Sequence, residues 1–210
     1  AGVYGEPKKL PIKEDDPKEP ANPYGETKLM VERMLPWFDK AHGLKFMGIR
    51  YFNAAGAALD GSIGSDQPNE SHLIPNVLRA ALKGGKFIIF GGDYPTEDGT
   101  CVRDYIHVLD LADIHVLALK ALIGGAESNF YNAGYGQGYS NKQIVEMIKK
   151  VTGLNFKVEI GPRRAGDTAA LVASIDKIKA DFGWEPKYRL KEIIESAYLW
   201  HKRHPNGYSR

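Results

Sequence analysis

Tyr24 and Lys28 stand four residues apart in the stretch NPYGETKLMVE, residues 22–32. On an α-helix that spacing puts both side chains on one face, a turn apart. A cationic ammonium beside a phenol favours the phenolate. A phenol so tuned can take a proton from a sugar or alcohol hydroxyl while hydride leaves the same carbon. The lysine could also hold a cofactor's ribose. The spacing therefore has a mechanism, though by itself it fits an exposed Tyr and Lys on a helix surface equally well.

The pair needs elements to position it. Asn22 suits a helix N-cap and Pro23 the first helical position, and Gly43 is a natural stop, so a helix is expected from about residue 22 to 41. Residues 5–23, rich in Pro, Lys, Glu and Asp, read as a surface loop. KFMGIRYFN, residues 45–53, is the short apolar and aromatic run of a buried strand. Residues 54–69 read as a long loop, and 71–85 as a helix ending at Gly84 and Gly85. A strand is expected in FIIFGG, and a turn then a strand in DYPTEDGTCVRDYIHV. An amphipathic helix over 108–122, a strand in NFYNAG and a Ser140-capped helix to about residue 151 follow. A strand in FKVEIG and two helices, over 174–183 and 189–203, complete the chain. Strands alternating with helices predict an α/β fold with parallel pairing.

The 210 residues suffice for one domain with a real core, or two small ones. With 43% hydrophobic and 26% charged residues the composition is that of an ordinary globular chain. A net charge of +2 without a basic block argues against a nucleic-acid surface. Cys101, the single cysteine, excludes an internal disulfide and fits a reducing, cytoplasmic setting. It reads as packing within a strand. No apolar run approaches the roughly 20 residues of a membrane span, and no signal peptide is visible. His107 and His115 have no third ligand nearby in sequence, so no metal site is expected.

Five separated segments, VYGE, NPYGETKLMVE, GIRYFNAAGA, GTCVRDYIHVLDLA and RRAGD, occur in an order that resembles the NAD-dependent sugar-nucleotide epimerases of the extended short-chain dehydrogenase/reductase family. The resemblance runs from residue 1 to about residue 204. It implies an incomplete Rossmann-like doubly wound sheet plus a smaller C-terminal α/β substrate-binding lobe. Residues 1–55 would belong to the NAD-binding domain, with parts of 100–135 returning to it, and 56–210 mainly to the UDP-sugar lobe.

The resemblance also implies roles. Tyr24 would be the catalytic base and Lys28 its partner, in the interconversion of UDP-glucose and UDP-galactose at the sugar C4. Both would also touch NAD, with Tyr51 and Phe52 packing the nicotinamide. Asn53 would bond the diphosphate or sugar, Leu73 would meet the uracil through its backbone with His72 beside it, and Ile88 and Phe90 would wall the uracil. Arg103 and Arg164 suit a diphosphate, because guanidinium is a permanent cation with a forked donor face. Asp167 would accept from the ribose hydroxyls. Leu171 would wall the sugar pocket, intermediate between a large aromatic that restricts the site and a small residue that admits N-acetyl sugars. The helix carrying Tyr24 would form a homodimer interface. Dehydration needs an acid pair just before VYG, where this chain has Ala1 and Gly2.

The family's glycine-rich phosphate loop, expected after a first strand, is not in this sequence. The chain opens without Met, which hints at a C-terminal fragment. Three alternatives follow: the epimerase activity belongs to a longer protein, this chain binds UDP-sugar weakly without catalysis, or the sugar is an N-acetylhexosamine or a pentose. As a fragment, the strand at 45–53 would lack a neighbour and expose an apolar edge. One stretch imitates a dinucleotide fingerprint: Gly134, Gly136 and Gly138 lie between a strand and a helix, with Glu159 about 20 residues on. Its third glycine comes one position early, so it is expected to be a decoy.

Overall fold

The structure, a computed structural model, describes residues 1–208. Helix α1 spans Pro23–His42. The Asn22 side chain accepts from the Gly25 N–H, and Gly43, in the left-handed region, ends the helix. Strands β1 (Met47–Tyr51) and β2 (Asn53–Ala55) follow, then α2 (Leu73–Leu82), β3 (Lys86–Phe90), β4 (Val102–His107) and α3 (Val108–Ile123). Next come β5 (Asn129–Ala133), β6 (Gly138–Ser140) and α4 (Asn141–Thr152), whose Ser140 and Gln143 form a reciprocal capping box. Strands β7 (Lys157–Gly161) and β8 (Ala170–Leu171) and helices α5 (Asp176–Phe182) and α6 (Leu190–Arg203) complete the order.

The apolar run at 45–53 does not behave as one strand. Its first half, β1, pairs in parallel with β5, from Met47 opposite Asn129 to Tyr51 opposite Ala133. Its second half, β2, pairs in parallel with β4, Asn53 opposite Tyr105. Phe52 marks the change of partner and donates its N–H to the Ala133 carbonyl. The expectation of a strand without a neighbour is corrected on one side only: β5, brought back by α3, pairs with β1, while the other edge of β1 is unpaired among the described residues. Strand β4 is the hub, since it also pairs with β6 antiparallel and with β8 in parallel. Strands β3 and β7 form a separate parallel pair.

One core gathers Ile74, Val77 and Leu78 of α2, Ile144 and Ile148 of α4, Ile193 and Ile194 of α6, with Ile89 and Tyr105 from the strands. A second packs Ile106, Ile114, Tyr131, Ile178 and Trp184 around β1 and β5. A third holds Val3, Tyr4, Ile12 and Leu29. Burial of this kind contributes about 25 cal/mol per Å² of apolar surface. The stretch 5–23 is thus more than a surface loop. Ile12 is fully buried and bridges to Ala173. Arg50 forks onto both Glu32 carboxylate oxygens at 2.8 and 2.7 Å and donates to the Tyr4 hydroxyl at 2.7 Å. Tyr4 donates in turn to Asn132. That network ties the N-terminal segment, α1 and the β1–β5 pair together. Burial, ahead of the opposing Arg50 charge, pushes the Tyr4 phenol up to about 12, so it stays a donor.

Candidate functional site

Side chains alternate across a strand, and β4 uses both faces. Cys101, just ahead of the strand rather than in it, and Arg103 and Tyr105 turn to one side. There they line a cavity of about 730 Å³. Asp104, between them, turns the other way. The cavity floor is β2 and the loop after it; β3 and the start of α2 form one wall and α6 the back.

Eight of the nine residues expected to bind substrate line this one cavity: Asn53, His72, Leu73, Ile88, Phe90, Arg103, Arg164 and Asp167. They come from separate segments spanning more than a hundred positions. The Asn53 amide donates to the Asp104 carbonyl at 3.0 Å, which leaves its own oxygen to accept. Arg103 spends one donor on the Val102 carbonyl at 2.9 Å, and the rest of its fork has no partner among the described residues. Arg164 pairs with Asp167 at 3.1 Å and lies over the Phe90 ring, 5.1 Å from its centroid. The cavity thus offers an apolar slot with two guanidinium groups nearby, a combination suited to a base joined to phosphates.

Leu171 is the exception. It does not line the cavity but packs with Phe52 on the Val3, Tyr4 and Leu29 cluster, held beside Arg103 by the β4–β8 register. The expected pocket wall is in this structure part of a core.

Tyr24 and Lys28 share a face of α1 as the spacing requires. The Lys28 ammonium lies 5.0 Å from the centre of the Tyr24 ring. Tyr24 is 67% exposed, and neither its hydroxyl nor the ammonium has a hydrogen-bond partner among the described residues. The pair lies outside the cavity lining, but a short contact chain joins them. The first turn of α1 rests directly on residue 2, where a Cβ on Gly25 would collide with the Gly2 carbonyl. The Ala1 nitrogen donates to the Tyr51 carbonyl at 2.8 Å, and Asn53, two residues on, is already at the cavity. Tyr51 itself is half exposed and leans on His115. Tyr24, Lys28 and Tyr51 therefore present open polar and aromatic groups that fit the reactive end of a dinucleotide. Phe52 is partly spent on the core.

The glycine turn that could have matched offers no phosphate cradle. In the glycine stretch after β5, the N–H groups of Tyr135 and Gly136 donate to the buried Asp104 carboxylate at 2.7 and 3.0 Å, and Ala173 adds a third at 3.1 Å. A Cβ on Gly134 would strike the same carboxylate. The start of α4 is likewise filled, by the Ser140 cap and by the Asp98 carboxylate bonded to it. The imitation fingerprint is a carboxylate-binding turn whose anion is already built in. Burial pushes the Asp104 carboxyl up to about 6 against these three donors.

The histidines have structural partners. His107 is fully buried; its Nδ1 accepts from the Leu109 N–H, so Nε2 carries the proton and donates to the Ser196 hydroxyl at 3.0 Å. Burial lowers it to about 4. His201, on α6 at the back of the cavity, is lowered to about 4 for the same reason. Among the described residues no cluster of three His, Cys, Asp or Glu could hold a metal ion, and no helix is long and apolar enough to cross a membrane.

Sequence reasoning passed over Glu70 and Asp104. Glu70 stands two residues before His72, and Asp104 follows Arg103. Nothing in their spacing says that one is buried against an imidazole and the other against three peptide groups.

Residues 1–134 match the NAD dependent epimerase/dehydratase family. Over 210 residues the chain is 53% identical to the UDP-glucose 4-epimerase of Lactobacillus helveticus, covering 99% of this chain and 64% of that protein. The solved structure of the Bifidobacterium longum UDP-glucose 4-epimerase in complex with NAD+ and UDP superimposes with a TM-score of 0.93 at 36% identity, over 99% of this chain and 63% of that one. The UDP-Glc/GlcNAc 4-epimerase of Campylobacter jejuni gives a TM-score of 0.77 at 44% identity, over 97% of this chain and 62% of that one. The chain thus spans somewhat under two thirds of the length of the relatives it matches.

Proposed function

The chain belongs to the NAD dependent epimerase/dehydratase family, and from that premise we propose that it supplies the UDP-sugar cavity and the catalytic tyrosine of a UDP-glucose 4-epimerase, which interconverts UDP-galactose and UDP-glucose in galactose metabolism. One observation carries the proposal: eight residues scattered through the sequence, each expected from the family resemblance to meet a nucleotide sugar, converge on a single cavity.

In this reading Leu73, Ile88 and Phe90 hold the uracil, Arg103 and Arg164 neutralise the diphosphate, and Asp167 accepts from the ribose. Tyr24 takes the proton of the C4 hydroxyl and returns it, and Lys28 holds the nicotinamide-side ribose. NAD, when bound, supplies the hydride acceptor and donor for the same carbon. Two epimers result if the oxidised sugar can turn and present either face of C4 to the returning hydride, while the phenol exchanges only the proton of the C4 oxygen. The relay must therefore stay put while the sugar turns, which suits a tyrosine on a capped helix better than one on a loop.

Residues 1–55, with the returning β5, fit the reactive edge of an NAD-binding domain, and the β3–β7 pair with α2, α4 and α6 fit a UDP-sugar lobe. A homodimer belongs to the same proposal. Met30, Val31, Met34, Trp37 and Phe38 leave an exposed apolar face on α1, suited to a second copy. A cytoplasmic setting agrees with one buried, free cysteine. The Campylobacter relative, named for both UDP-Glc and GlcNAc, favours a second reading in which N-acetylated sugars are also accepted, and the withdrawal of Leu171 from the cavity is compatible with it.

Calorimetric titration of the chain tests the proposal. UDP-glucose binding without NAD binding is the expected result, because the eight residues line one cavity and the 134–138 turn is already filled by Asp104. Failure to bind UDP-glucose would refute the cavity assignment; tight NAD binding would refute the decoy reading of the 134–138 turn.

A further inference from the structure

Two polar residues of the cavity, Arg164 and Asp167, come from the loop that joins β7 to β8. They bond to each other, through their side chains at 3.1 Å and through the Asp167 N–H to the Arg164 carbonyl. Those bonds lie within the loop and tie it to nothing else. The hydrogen bonds that join residues 162–168 to the rest of the described residues all come from one side chain, Arg163.

Arg163 does not line the cavity. Its Nε donates to Asp93 Oδ1 at 2.7 Å, and a terminal nitrogen donates to the Asp93 carbonyl. The guanidinium lies over the Tyr94 ring, 4.2 Å from its centre, and that ring is buried, so it is a fixed platform. Gly91 makes the room. A Cβ there would collide with the Tyr94 ring and crowd the Arg163 stem. The Gly91 N–H also bonds the Gly161 carbonyl at 3.0 Å, directly ahead of the loop. Phe90, one residue earlier, is the ring beneath Arg164. The two adjacent arginines thus sit on two nearby rings, Arg163 on Tyr94 outside the cavity and Arg164 on Phe90 at its lining.

An exposed ion pair alone contributes little. Here two donors and an aromatic face hold one planar guanidinium in a single geometry, which an isolated pair does not. We propose that Arg163 is a positioning residue for nucleotide-sugar binding: latched to Asp93 and Tyr94, it fixes the loop so that Arg164 faces the diphosphate before the ligand arrives. The inference rests on the UDP-sugar reading above. A loop freed from the latch must be ordered as the ligand binds, and that ordering subtracts from affinity.

Asp93→Ala separates a latch from plain charge. It removes an anion from the neighbourhood of the diphosphate, so electrostatics alone would tighten binding, whereas a broken latch weakens it. The Asp93 side chain is 76% exposed and outside the cavity lining, so the fold does not depend on it. Calorimetric titration of the chain should show UDP-glucose weakened about threefold by Asp93→Ala and about fivefold by Arg163→Met, with melting temperatures near wild type. Because the latch acts through Arg164, Arg163→Met should cost little more in a chain that already carries Arg164→Met. An Asp93→Ala chain that binds UDP-glucose as tightly as wild type or more so would overturn the inference and leave the nucleotide reading standing. So would an Arg163→Met loss that persists undiminished beside Arg164→Met. A wild-type chain that binds no UDP-glucose would overturn both.

Discussion

Two buried neutral histidines make this fold sensitive to mild acid. His107 and His201 are both lowered by burial to about 4. The unfolded chain therefore binds these protons more tightly than the folded one. Their contribution is fully present above about pH 6.5 and is lost as pH falls toward 4. Lowering the pH from about 7.5 to 5 should cost about 2 kcal/mol for each histidine, or about 4 together, by linkage. Asp104 works in the opposite direction. Its carboxyl, raised to about 6, binds a proton more tightly in the folded state. Over the same interval it returns about 1.5 kcal/mol. The net loss is about 2.5 kcal/mol, or a fall of roughly 5–10 °C in melting temperature for a chain of this size. Urea titrations at the two pH values, followed by tryptophan fluorescence and checked for equal slopes, measure it directly. His201→Gln removes half of the histidine contribution and breaks no described hydrogen bond. It should shrink the loss to about 1 kcal/mol or less. A wild-type stability that is flat or rising toward pH 5, or a loss unchanged in His201→Gln, would refute the assignment of neutral buried imidazoles.

Asp104→Ala should destabilise the chain by about 3 kcal/mol, since three N–H groups, one of them buried and two partly buried, lose their acceptor; chemical denaturation checks it. Arg103→Ala should weaken UDP-glucose about 10- to 100-fold and uridine hardly at all, which parallel titrations separate. In a chain extended to the length of its relatives, Tyr24→Phe should cut epimerisation about 100-fold or more with little change in UDP-glucose affinity, read from turnover and from binding on the same preparation. Trp37→Glu, placed in the exposed face of α1, should shift the extended protein from dimer to monomer in analytical ultracentrifugation without unfolding it.

Much of this architecture is legible in local signals. Asn22, Pro23 and Gly43 bracket α1, and Ser140 with Gln143 starts α4, because caps are short-range chemistry that the sequence carries whole. What is not legible is which partner a strand chooses. The run at 45–53 is apolar throughout, so nothing in it marks Phe52 as the point where pairing passes from β5 to β4. Strands β6 and β8 are too short to show a period of two. Buried polar partners escape for a related reason. Glu70 and Asp104 resemble surface acids in sequence, and only the fold reveals that each meets donors from distant segments. The shared cavity lining of the candidate residues was legible because five motifs point to a family; the bare pattern at Ile88 and Phe90 reads only as strand core, and Leu171, expected beside them, packs in a core cluster instead.

The partner exchange at Phe52 also explains how one strand run can reach both the Tyr24 end of α1 and the cavity. Tyr51 ends β1 beside the segment that touches the Tyr24 ring, and Asn53 begins β2 at the cavity. Only Phe52 separates them, and its side chain is anchored in the cluster of Val3, Tyr4 and Leu29. The separation of Tyr24 from the cavity is therefore set by hydrogen-bonded backbone rather than by a loop. Strand β4 enforces the companion condition on charge. Because Arg103 and Asp104 are adjacent, they must face opposite sides. The carboxylate is consumed by the peptide groups of Tyr135, Gly136 and Ala173, so it cannot neutralise its neighbour. A one-residue slip of β4 would exchange the two, putting an anion where the diphosphate is to bind and a guanidinium among three N–H donors. The register of this strand is thus under a double constraint, and the three donors around Asp104 help to hold it in the one arrangement that leaves the cavity cationic.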